Sequence, residues 1–528
     1  MPEIKEMQEI PSFKQMERLV AATERIAMID GESGLTAEEM SLASSFLAAR
    51  TGKVWATKFW TFATNSTSAG IKLLDNADMA DPTPATDTVE GVDPYLDYNV
   101  FRWWRCNYRR DDDGTARLVA MEGWPGYKTR GAADVGVLSP TFYWKVETND
   151  AGGYYTFYFS DSPHPELGLV PWCEAVKADG TVLPYYIESA YASVVASDGL
   201  LRSQPGAAPA YDQSYNSQLT AYPQKGAGYH GSGMSRNTLQ IIMLAIKYAT
   251  KNSQTKFTGC TNYNKQVTVA HAEENVTRVL LPESESTFWL AGLCVSVGDN
   301  AGTSLNQDRG NVTTHNIADR VLIKSVETVS VDGTSYCALN LDIDTPFSTT
   351  ETTFVSSMPC WSGITDNVIG MYDGSPVSNS DGKHTYRIKG IEYLHGQAIV
   401  AADTVMALQS DYTAKVYAAE KGSTRVSSDI ESVYKYVGTI PDGEGSGGNF
   451  WIGDVAIDEA TGVFYPKTAG TGNQVGCGDQ CYSSNGSTSG YRGCFAGGHI
   501  ARMVNAGSAF ADRAHGINSP SWAYASAD

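Results

Sequence analysis

The sequence predicts a β-rich α+β protein, and three observations support that class. Glycine occurs 51 times and tyrosine 29 times, whereas only 19% of the residues are charged, a balance typical of β-rich chains with many loops. Runs such as TFYWKVET (141–148) and GGYYTFYFSD (152–161) are rich in aromatic and β-branched residues, as strands are. Helical periodicity is confined to a few short segments.

Two of those segments open the chain. Residues 12–30 repeat apolar side chains at helical spacing, and residues 36–50 begin with Thr36-Ala-Glu-Glu39, which matches a capping box. We therefore assign residues 1–50 to an N-terminal helical segment. It either packs on the body as a hairpin or serves attachment and oligomerisation.

Residues 51–180 are predicted to form a β domain. Within it, RWWRCNYRR (102–110) combines tryptophan with arginine, as nucleic-acid-binding patches do. The aspartates at 111–113 follow directly and cancel the positive charge. We therefore interpret Trp103 and Trp104 as core aromatics beside a solvated turn.

The clearest helix of the body is predicted over residues 235–252, with Ser235 as its N-cap. Its apolar face is predicted to carry Leu239, Ile242, Ile246 and Ala249. Residues 266–375 read as a compact β module, and the run TYRIKGIEYLHG (385–396) reads as a strand.

The net charge, the length of apolar runs and the first residues of the chain exclude several classes of function. A net charge of −20 rules out phosphate binding as a bulk property of the surface, so no nucleic-acid partner is expected. Because no apolar run approaches ~20 residues, no membrane insertion is expected. The charged start MPEIKEMQEI lacks the features of a secretory signal, which predicts synthesis in a cytoplasm. Cys477 and Cys481 are interpreted as structural or free thiols rather than metal ligands.

Motifs of catalysis are absent from the sequence. It contains no GxSxG, HExxH or EF-hand pattern, and GEGSGG (443–448) lacks the lysine of a phosphate-binding loop. No catalytic residue, cofactor or metal ligand is therefore predicted, and the chain is expected not to be an enzyme. Paired carboxylates for glycoside hydrolysis stay open as an alternative, because only geometry would identify them.

The C-terminal segment 492–528, RGCFAGGHIARMVNAGSAFADRAHGINSPSWAYASAD, follows no helical or strand period. From Cys481 to Asp528 there is no Lys, Glu or Gln, although roughly five would be expected. Arg, Asp, His, Asn and Tyr all occur there. An AAY codon randomised at its adenines can encode Arg, Asp, His, Asn and Tyr, but it never encodes Lys, Glu or Gln. The exclusion is typical of a segment diversified at adenines.

With its GG start, NAG middle and closing run to Trp522, this segment resembles the variable segment of proteins diversified by diversity-generating retroelements. Members of that family include receptor-binding proteins of phage tails, whose variable segment lies on a C-type-lectin-like fold shared with formylglycine-generating enzymes. The resemblance implies such a domain over 181–265 plus 376–528, interrupted by an inserted β module at 266–375. The sugar-binding Glu-Pro-Asn tripeptide is absent, so calcium-mediated glycan binding is not implied.

The resemblance also implies a ligand-binding surface of replaceable side chains. Its members are His499, Arg502, Val504, Asp512, Arg513, His515, Ser519, Ser521, Ala523 and Tyr524. A site that tolerates such variation needs small residues for close backbone approach and large ones for burial. Those frame positions are Gly497, Gly498, Gly507, Phe510, Gly516, Ile517 and Trp522.

The function so implied is a receptor-binding protein of a phage or prophage tail. It would bind a bacterial cell-surface protein or glycan, contact other virion tail proteins through its N-terminal region, and assemble as a homotrimer in the virion. Two alternatives remain, a tail-associated glycan hydrolase and a structural virion or surface protein that is not diversified.

Adenine-directed diversification predicts a second copy of the coding region for 492–528 near a reverse-transcriptase gene. In that copy AAC codons should stand at the positions of His499, Arg502, Asp512 and His515. Sequencing the flanking DNA checks this prediction, and a near-copy that differs at bases other than adenine would contradict it.

Overall fold

The computed structural model describes residues 36–211, 213–299, 312–393, 399–443, 448–482, 490–496 and 511–512. Strands account for 38% of the structure and helices for 15%, which confirms the β-rich α+β class. The helix predicted over residues 12–30 lies outside the described residues.

The helices of the described part are few and mostly short. They are α1 (Ala37–Ala48), α2 (Tyr215–Ala221), α3 (Ser235–Tyr248), α4 (Val312–His315) and α5 (Ile430–Val433).

The strands are described here in chain order. The first are β1 (Val54–Trp60), β2 (Ile71–Leu74), β3 (Trp104–Arg110), β4 (Ala116–Met121), β5 (Asp134–Pro140), β6 (Tyr143–Asn149), β7 (Tyr154–Ser160), β8 (Val170–Pro171) and β9 (Tyr185–Ser189). Next come β10 (Ser193–Val195), β11 (Leu201–Ser203), β12 (Gln266–Thr268), β13 (Arg278–Pro282), β14 (Cys294–Gly298), β15 (Ala318–Val331), β16 (Thr334–Leu341) and β17 (Phe354–Met358). The last are β18 (Tyr386–Ile388), β19 (Ile391–Tyr393), β20 (Ile399–Leu408), β21 (Ala414–Ala418), β22 (Lys435–Ile440), β23 (Phe450–Asp458), β24 (Val463–Gly470), β25 (Gln480–Tyr482), β26 (Gly490–Ala496) and β27 (Ala511–Asp512).

Four larger sheets organise these strands. A five-stranded sheet has the order β2-β1-β7-β6-β8, and a four-stranded sheet has the order β4-β3-β5-β9. A six-stranded sheet, β12-β17-β14-β15-β16-β13, is built from residues 266–358 alone. The C-terminal strands form an eight-stranded sheet in the order β22-β21-β20-β26-β27-β25-β23-β24. The hairpins β10-β11 and β18-β19 complete the set.

One continuous hydrophobic core joins distant parts of the chain. It contains Trp55 and Trp144 from the five-stranded sheet, Ile242 from α3, and Ile452 and Cys494 from the eight-stranded sheet. The six-stranded sheet has a separate core of its own between residues 260 and 360. Residues 51–180 therefore pack on the same core as the C-terminal strands, whereas the six-stranded sheet buries its apolar side chains by itself.

The aromatic and basic stretch that begins β3 is largely inside the molecule. Trp103 is buried and Trp104 half-buried, which confirms their interpretation as packing residues. Arg105 is also buried, and it donates to the carbonyl of Gly390 at 2.8 Å and to Asp366 at 3.0 Å. This part of the arginine cluster therefore stabilises the interior.

Helix α3 is buried along its whole length, from Ser235 to Tyr248. The prediction of one apolar face was thus too narrow, because every face meets protein. The prediction that Ser235 is the N-cap was wrong, because Ser235 is the first helical residue. The capping position is Met234, whose N–H donates to Asp403 Oδ1 at 3.0 Å. The helix stops at Tyr248 because Ala249 turns left-handed at φ 47°, so the predicted extension to 252 and the place of Ala249 on the helix face were wrong.

The charged side chains of α3 are matched by partners from other elements. Arg236 donates through Nη1 to the carbonyl of Ser189 at 2.8 Å and through Nη2 to that of Glu392 at 2.7 Å. Lys247 lies between Asp93, at 2.6 Å, and Asp373. Burial lowers the pKa of Lys247, but the two carboxylates outweigh it and raise that pKa, so the lysine is charged.

The segment predicted as one strand over 385–396 is instead the hairpin β18-β19, with residues 394–396 outside the described part. Lys389 and Gly390 form its turn with φ of 48° and 77°, the left-handed pair that tight hairpins need. A Cβ on Gly390 would lie 2.4 Å from the Trp103 ring, so the turn packs directly on that side chain. Burial, together with nearby Lys247, lowers the pKa of Lys389 to about 7.

The predicted capping box is present at the start of α1. Thr36 Oγ1 accepts from the N–H of Glu39 at 3.2 Å, and Glu39 Oε2 accepts from the N–H of Thr36 at 2.8 Å. Glu39 also receives Arg117 through two hydrogen bonds, of 3.1 and 2.9 Å, and the hydroxyl of Tyr185 at 2.5 Å. Burial raises the pKa of Glu39, but these donors outweigh it and lower the pKa overall. Glu39 therefore fastens α1 to the four-stranded sheet.

Replacing Glu39 with alanine should lower the free energy of unfolding by about 3–5 kcal/mol, because the buried guanidinium of Arg117 loses its nearer counter-charge and keeps only Asp111 at 3.8 Å. Urea unfolding followed by far-UV circular dichroism measures the change. Glu38→Ala is the matched control, since Glu38 is exposed on the same turn and should change stability by less than about 0.5 kcal/mol. Equal effects of the two substitutions would contradict the role given to Glu39.

Candidate functional site

The ligand-binding surface predicted from the sequence lies almost wholly outside the described residues. Of its members and its frame, only Asp512 is described, and then only as a backbone position in β27. The others, outside the described residues, are His499, Arg502, Val504, Arg513, His515, Ser519, Ser521, Ala523 and Tyr524, with frame positions Gly497, Gly498, Gly507, Phe510, Gly516, Ile517 and Trp522.

The strands that flank this surface are described, and they are neighbours. Strand β26 pairs antiparallel with β27, with Phe495 opposite Asp512 and Ala496 opposite Ala511. On its other side β27 pairs parallel with β25, where Cys481 faces Ala511. The residues that flank the segment 497–510 on both sides therefore lie at the centre of the eight-stranded sheet.

The sheet is tied to α3 at the same place. Strand β20 pairs with β26, but the register shifts between Ala401 and Val405, so the residues in between form an irregularity. Asp403 lies within it, is buried, and accepts hydrogen bonds from the N–H of Met234 and from Thr404 Oγ1, at 3.0 and 2.7 Å. Burial, the largest influence, raises the pKa of Asp403. The carboxylate thus replaces the missing side-chain cap of α3.

Next to this irregularity lies a cleft of about 460 Å³, within the size range of small-molecule sites. Four chain segments form its walls: the turn after β3, the region from α2 to the residues before α3, Ala402 in β20, and the loop after β21. The lining residues are Asp112, Asp113, Gly114, Gln218, Leu219, Pro223, Ala227, Gly228, Tyr229, His230, Gly231, Ala402, Glu420, Lys421, Gly422, Ser423, Thr424 and Arg425.

His230 is the imidazole that lines the cleft. Its pKa lies well below the usual value because of burial first and then the positive charges of Arg425 and Arg110. The ring is therefore neutral. Its Nδ1 lies 3.0 Å from the carbonyl oxygen of Gly231 and so carries the proton. Nε2 is left as an acceptor on the opposite edge, facing Gly114.

An ion pair between Lys421 and Glu174 links the cleft to α3. Lys421 lines the cleft and donates to the carbonyl of Glu174 at 2.9 Å, with the Glu174 carboxylate 3.7 Å away. Ser235 Oγ donates to the same carboxylate at 2.8 Å. Burial raises the pKa of Glu174, but the charges of Lys421 and Arg110 outweigh it and lower the pKa overall. Glu174 is therefore an anion that offsets the cations behind the cleft.

The cleft is rich in hydrogen-bond acceptors. The carboxylates of Asp112, Asp113 and Glu420 line it together with neutral His230. Gln218 is 1% exposed, and its Oε1 has no hydrogen-bond partner among the described residues. Such a lining suits a ligand that donates hydrogen bonds through hydroxyl groups. Within the described ranges, no group of three or more His, Cys, Asp or Glu side chains is placed to hold a metal ion.

Sequence reasoning missed this cleft. Its residues come from segments around 112, 218–231, 402 and 420–425, so no local motif joins them. His230 stood in the sequence as one of eight dispersed histidines. Only the packing of the loop after β21 against the residues before α3 brings them together.

No protein-family model matches the chain, and no curated protein matches it. None of the helices in the described part of the chain combines the length and apolar composition needed to cross a bilayer.

The low pKa of His230 predicts a loss of stability in mild acid. Below about pH 6.5 the unfolded chain takes up a proton that the folded ring refuses, so the free energy of unfolding should fall by about 1.4 kcal/mol per pH unit from this group. His230→Gln should remove that contribution between about pH 6 and pH 5, as measured by urea unfolding at a series of pH values. Tyr229→Phe should keep the wild-type slope. An unchanged slope in His230→Gln would show that the ring is protonated in the folded protein.

Proposed function

We propose that the chain is a receptor-binding protein of a phage or prophage tail, which binds a bacterial cell-surface protein or glycan through its C-terminal segment 497–528. The observation that carries the proposal is the exclusion of Lys, Glu and Gln from Cys481 to Asp528, which adenine-directed diversification explains. The proposal assigns the segment a binding role and no catalysis.

The position of the flanking strands supports this role. Binding sites commonly place variable side chains on loops carried by a rigid frame. Strands β26 and β27 belong to such a frame, because they are central in the eight-stranded sheet and Cys494 packs in the main core. Side-chain changes in 497–510 would leave the hydrogen bonds of these strands intact.

The finer fold assignment belongs to the same proposal. Residues 181–265 and 376–528 would form a C-type-lectin-like domain, with 266–375 inserted. The separate core of the six-stranded sheet is compatible with an insertion, since that sheet buries its apolar side chains without help from the rest. Cys260 and Cys360, at the two ends of this core, mark where the chain enters and leaves it.

In the proposed setting the protein acts as a homotrimer in the virion tail. Residues 1–50 would attach it to other tail proteins, and three copies of a weak site would gain affinity through avidity. Synthesis in the host cytoplasm followed by release on lysis would bring the protein to its ligand.

Simultaneous replacement of His499, Arg502, Asp512, Arg513 and His515 by alanine should reduce binding of the labelled protein to host cells at least about tenfold, equivalent to about 1.4 kcal/mol. The matched control replaces five exposed residues of the six-stranded sheet by alanine. These are Glu327, Thr328, Ser330, Thr334 and Ser335.

The control should bind as the wild type does. Unchanged binding by the tail variant would refute the proposed site. Release of new reducing ends from host wall polysaccharide by the purified wild-type protein would instead favour the glycan hydrolase.

A further inference from the structure

Two cysteines meet where the chain enters and leaves the six-stranded sheet. Cys260 precedes β12 and Cys360 follows β17, and these strands pair antiparallel with Gln266 opposite Ser356. The cysteines are separated by 100 positions in the sequence, yet their Sγ atoms are 3.6 Å apart. They therefore lie side by side where the two chain ends of the six-stranded sheet meet, which we call the neck of the sheet.

The segment around Lys383 packs against the two cysteines. Both thiols lie near the carbonyl oxygen of Lys383, at 3.6 and 3.8 Å. Both cysteines have no exposed surface and belong to the core of the sheet. The contact is thus part of a packed neck in which small movements of the side chains decide the distance between the sulfurs.

A histidine and a carboxylate stand behind this pair. His384 is 2% exposed, and its Nδ1 lies 2.8 Å from Asp381 Oδ2. Burial lowers the pKa of His384, but the hydrogen bond to Asp381 and the charge of Cys360 outweigh it and raise the pKa overall. The imidazolium is therefore favoured next to Cys360.

The two thiols consequently differ. The hydrogen bond from Cys260, followed by the charge of His384, lowers the pKa of Cys360 despite its burial. The same hydrogen bond, together with burial, raises the pKa of Cys260 well above its usual value. Cys360 is therefore the more readily ionised of the two thiols and Cys260 the one that holds its proton, which is the division of roles that a nucleophilic and a resolving thiol need.

We propose that Cys260 and Cys360 form a redox-active dithiol, which closes to a disulfide across the neck of the six-stranded sheet when the protein meets a peroxide. A water-sized oxidant suits a buried pair, because it needs the least opening of the packed neck. In a reducing cytoplasm the pair stays as thiols.

The chemistry balances with hydrogen peroxide as the oxidant. The Cys360 thiolate attacks one peroxide oxygen, the O–O bond breaks, and the departing hydroxide takes a proton from His384 to form water. This leaves a sulfenic acid on Cys360. The Cys260 sulfur then attacks the Cys360 sulfur, the S–O bond breaks, and the leaving hydroxide takes the Cys260 proton as a second water. Two thiols are oxidised and one peroxide is reduced.

Closure requires the sulfurs to approach by about 1.5 Å, from their present contact to the length of a disulfide bond. The bond would join both ends of the sheet in the unfolded chain as well. It would therefore restrict the unfolded ensemble over a long loop and stabilise the sheet against unfolding.

Labelling of the full-length protein tests the proposal. The protein is exposed to hydrogen peroxide, the excess is removed with catalase, and the chain is denatured in N-ethylmaleimide and weighed by mass spectrometry. Untreated protein should take nine labels, one for each cysteine, and treated protein should take seven because two are joined. Peptide mapping should identify Cys260 linked to Cys360, and the midpoint of urea unfolding should rise.

Three variants separate this site from general thiol oxidation. The Cys260→Ser variant is exposed briefly to hydrogen peroxide and then treated with arsenite, which reduces sulfenic acid. All eight of its remaining cysteines should then take a label. Cys337→Ser, which removes a buried thiol of the same sheet, should still lose two labels. His384→Gln should close about tenfold more slowly, because the cation beside Cys360 is gone.

Nine labels after treatment, a linkage between other cysteines, or over-oxidation of Cys360 without a cross-link would each overturn the proposal. Host-cell binding is measured separately, so failure of the dithiol and failure of the receptor-binding function are distinguishable.

Discussion

The complete burial of α3 is the constraint on which the rest of the structure depends. A helix that carries Arg236, Gln240 and Lys247 can be enclosed only if these three side chains find partners, because an unpaired buried charge is costly. The partners come from all sides: Ser189 and Asp93 from before the helix, and Tyr386 and Asp373 from the C-terminal half. Each of these contacts fixes one neighbouring element relative to α3. The sheets on either side therefore share one core instead of forming independent layers.

This arrangement determines how a variable segment can be carried. Asp403 holds the start of α3 from the irregular part of β20, and β20 pairs with β26 in the middle of the eight-stranded sheet. The backbone that leads into 497–510 is thus secured by main-chain pairing of β26 with β20 and β27, a kind of contact that is independent of side-chain identity. In the proposed function, that independence is what lets the ligand-binding residues change while the fold persists.

The six-stranded sheet is stabilised separately from the main core. It has its own core, and its two chain ends converge at Cys260 and Cys360. In the proposed redox role, a disulfide at this point would join the two chain ends of the sheet. The cleft beside His230 belongs to the body, and the charge of its Lys421 is offset by Glu174, which α3 also contacts.

The sequence by itself determined the features that are local. The β-rich class, the capping box of Thr36 and Glu39, and the existence of α3 follow from residue preference and spacing, which act over a few neighbours. Other features depended on contacts between distant residues. Asp403, and not Ser235 as predicted, caps the start of α3. The segment predicted as one strand is a hairpin, because Lys389 and Gly390 form a turn that packs on Trp103. The cleft and the Cys260–Cys360 pair have no sequence signature, because their members are brought together only when sheets pack. Tertiary structure decided them, since burial makes partners of residues that chain order keeps apart.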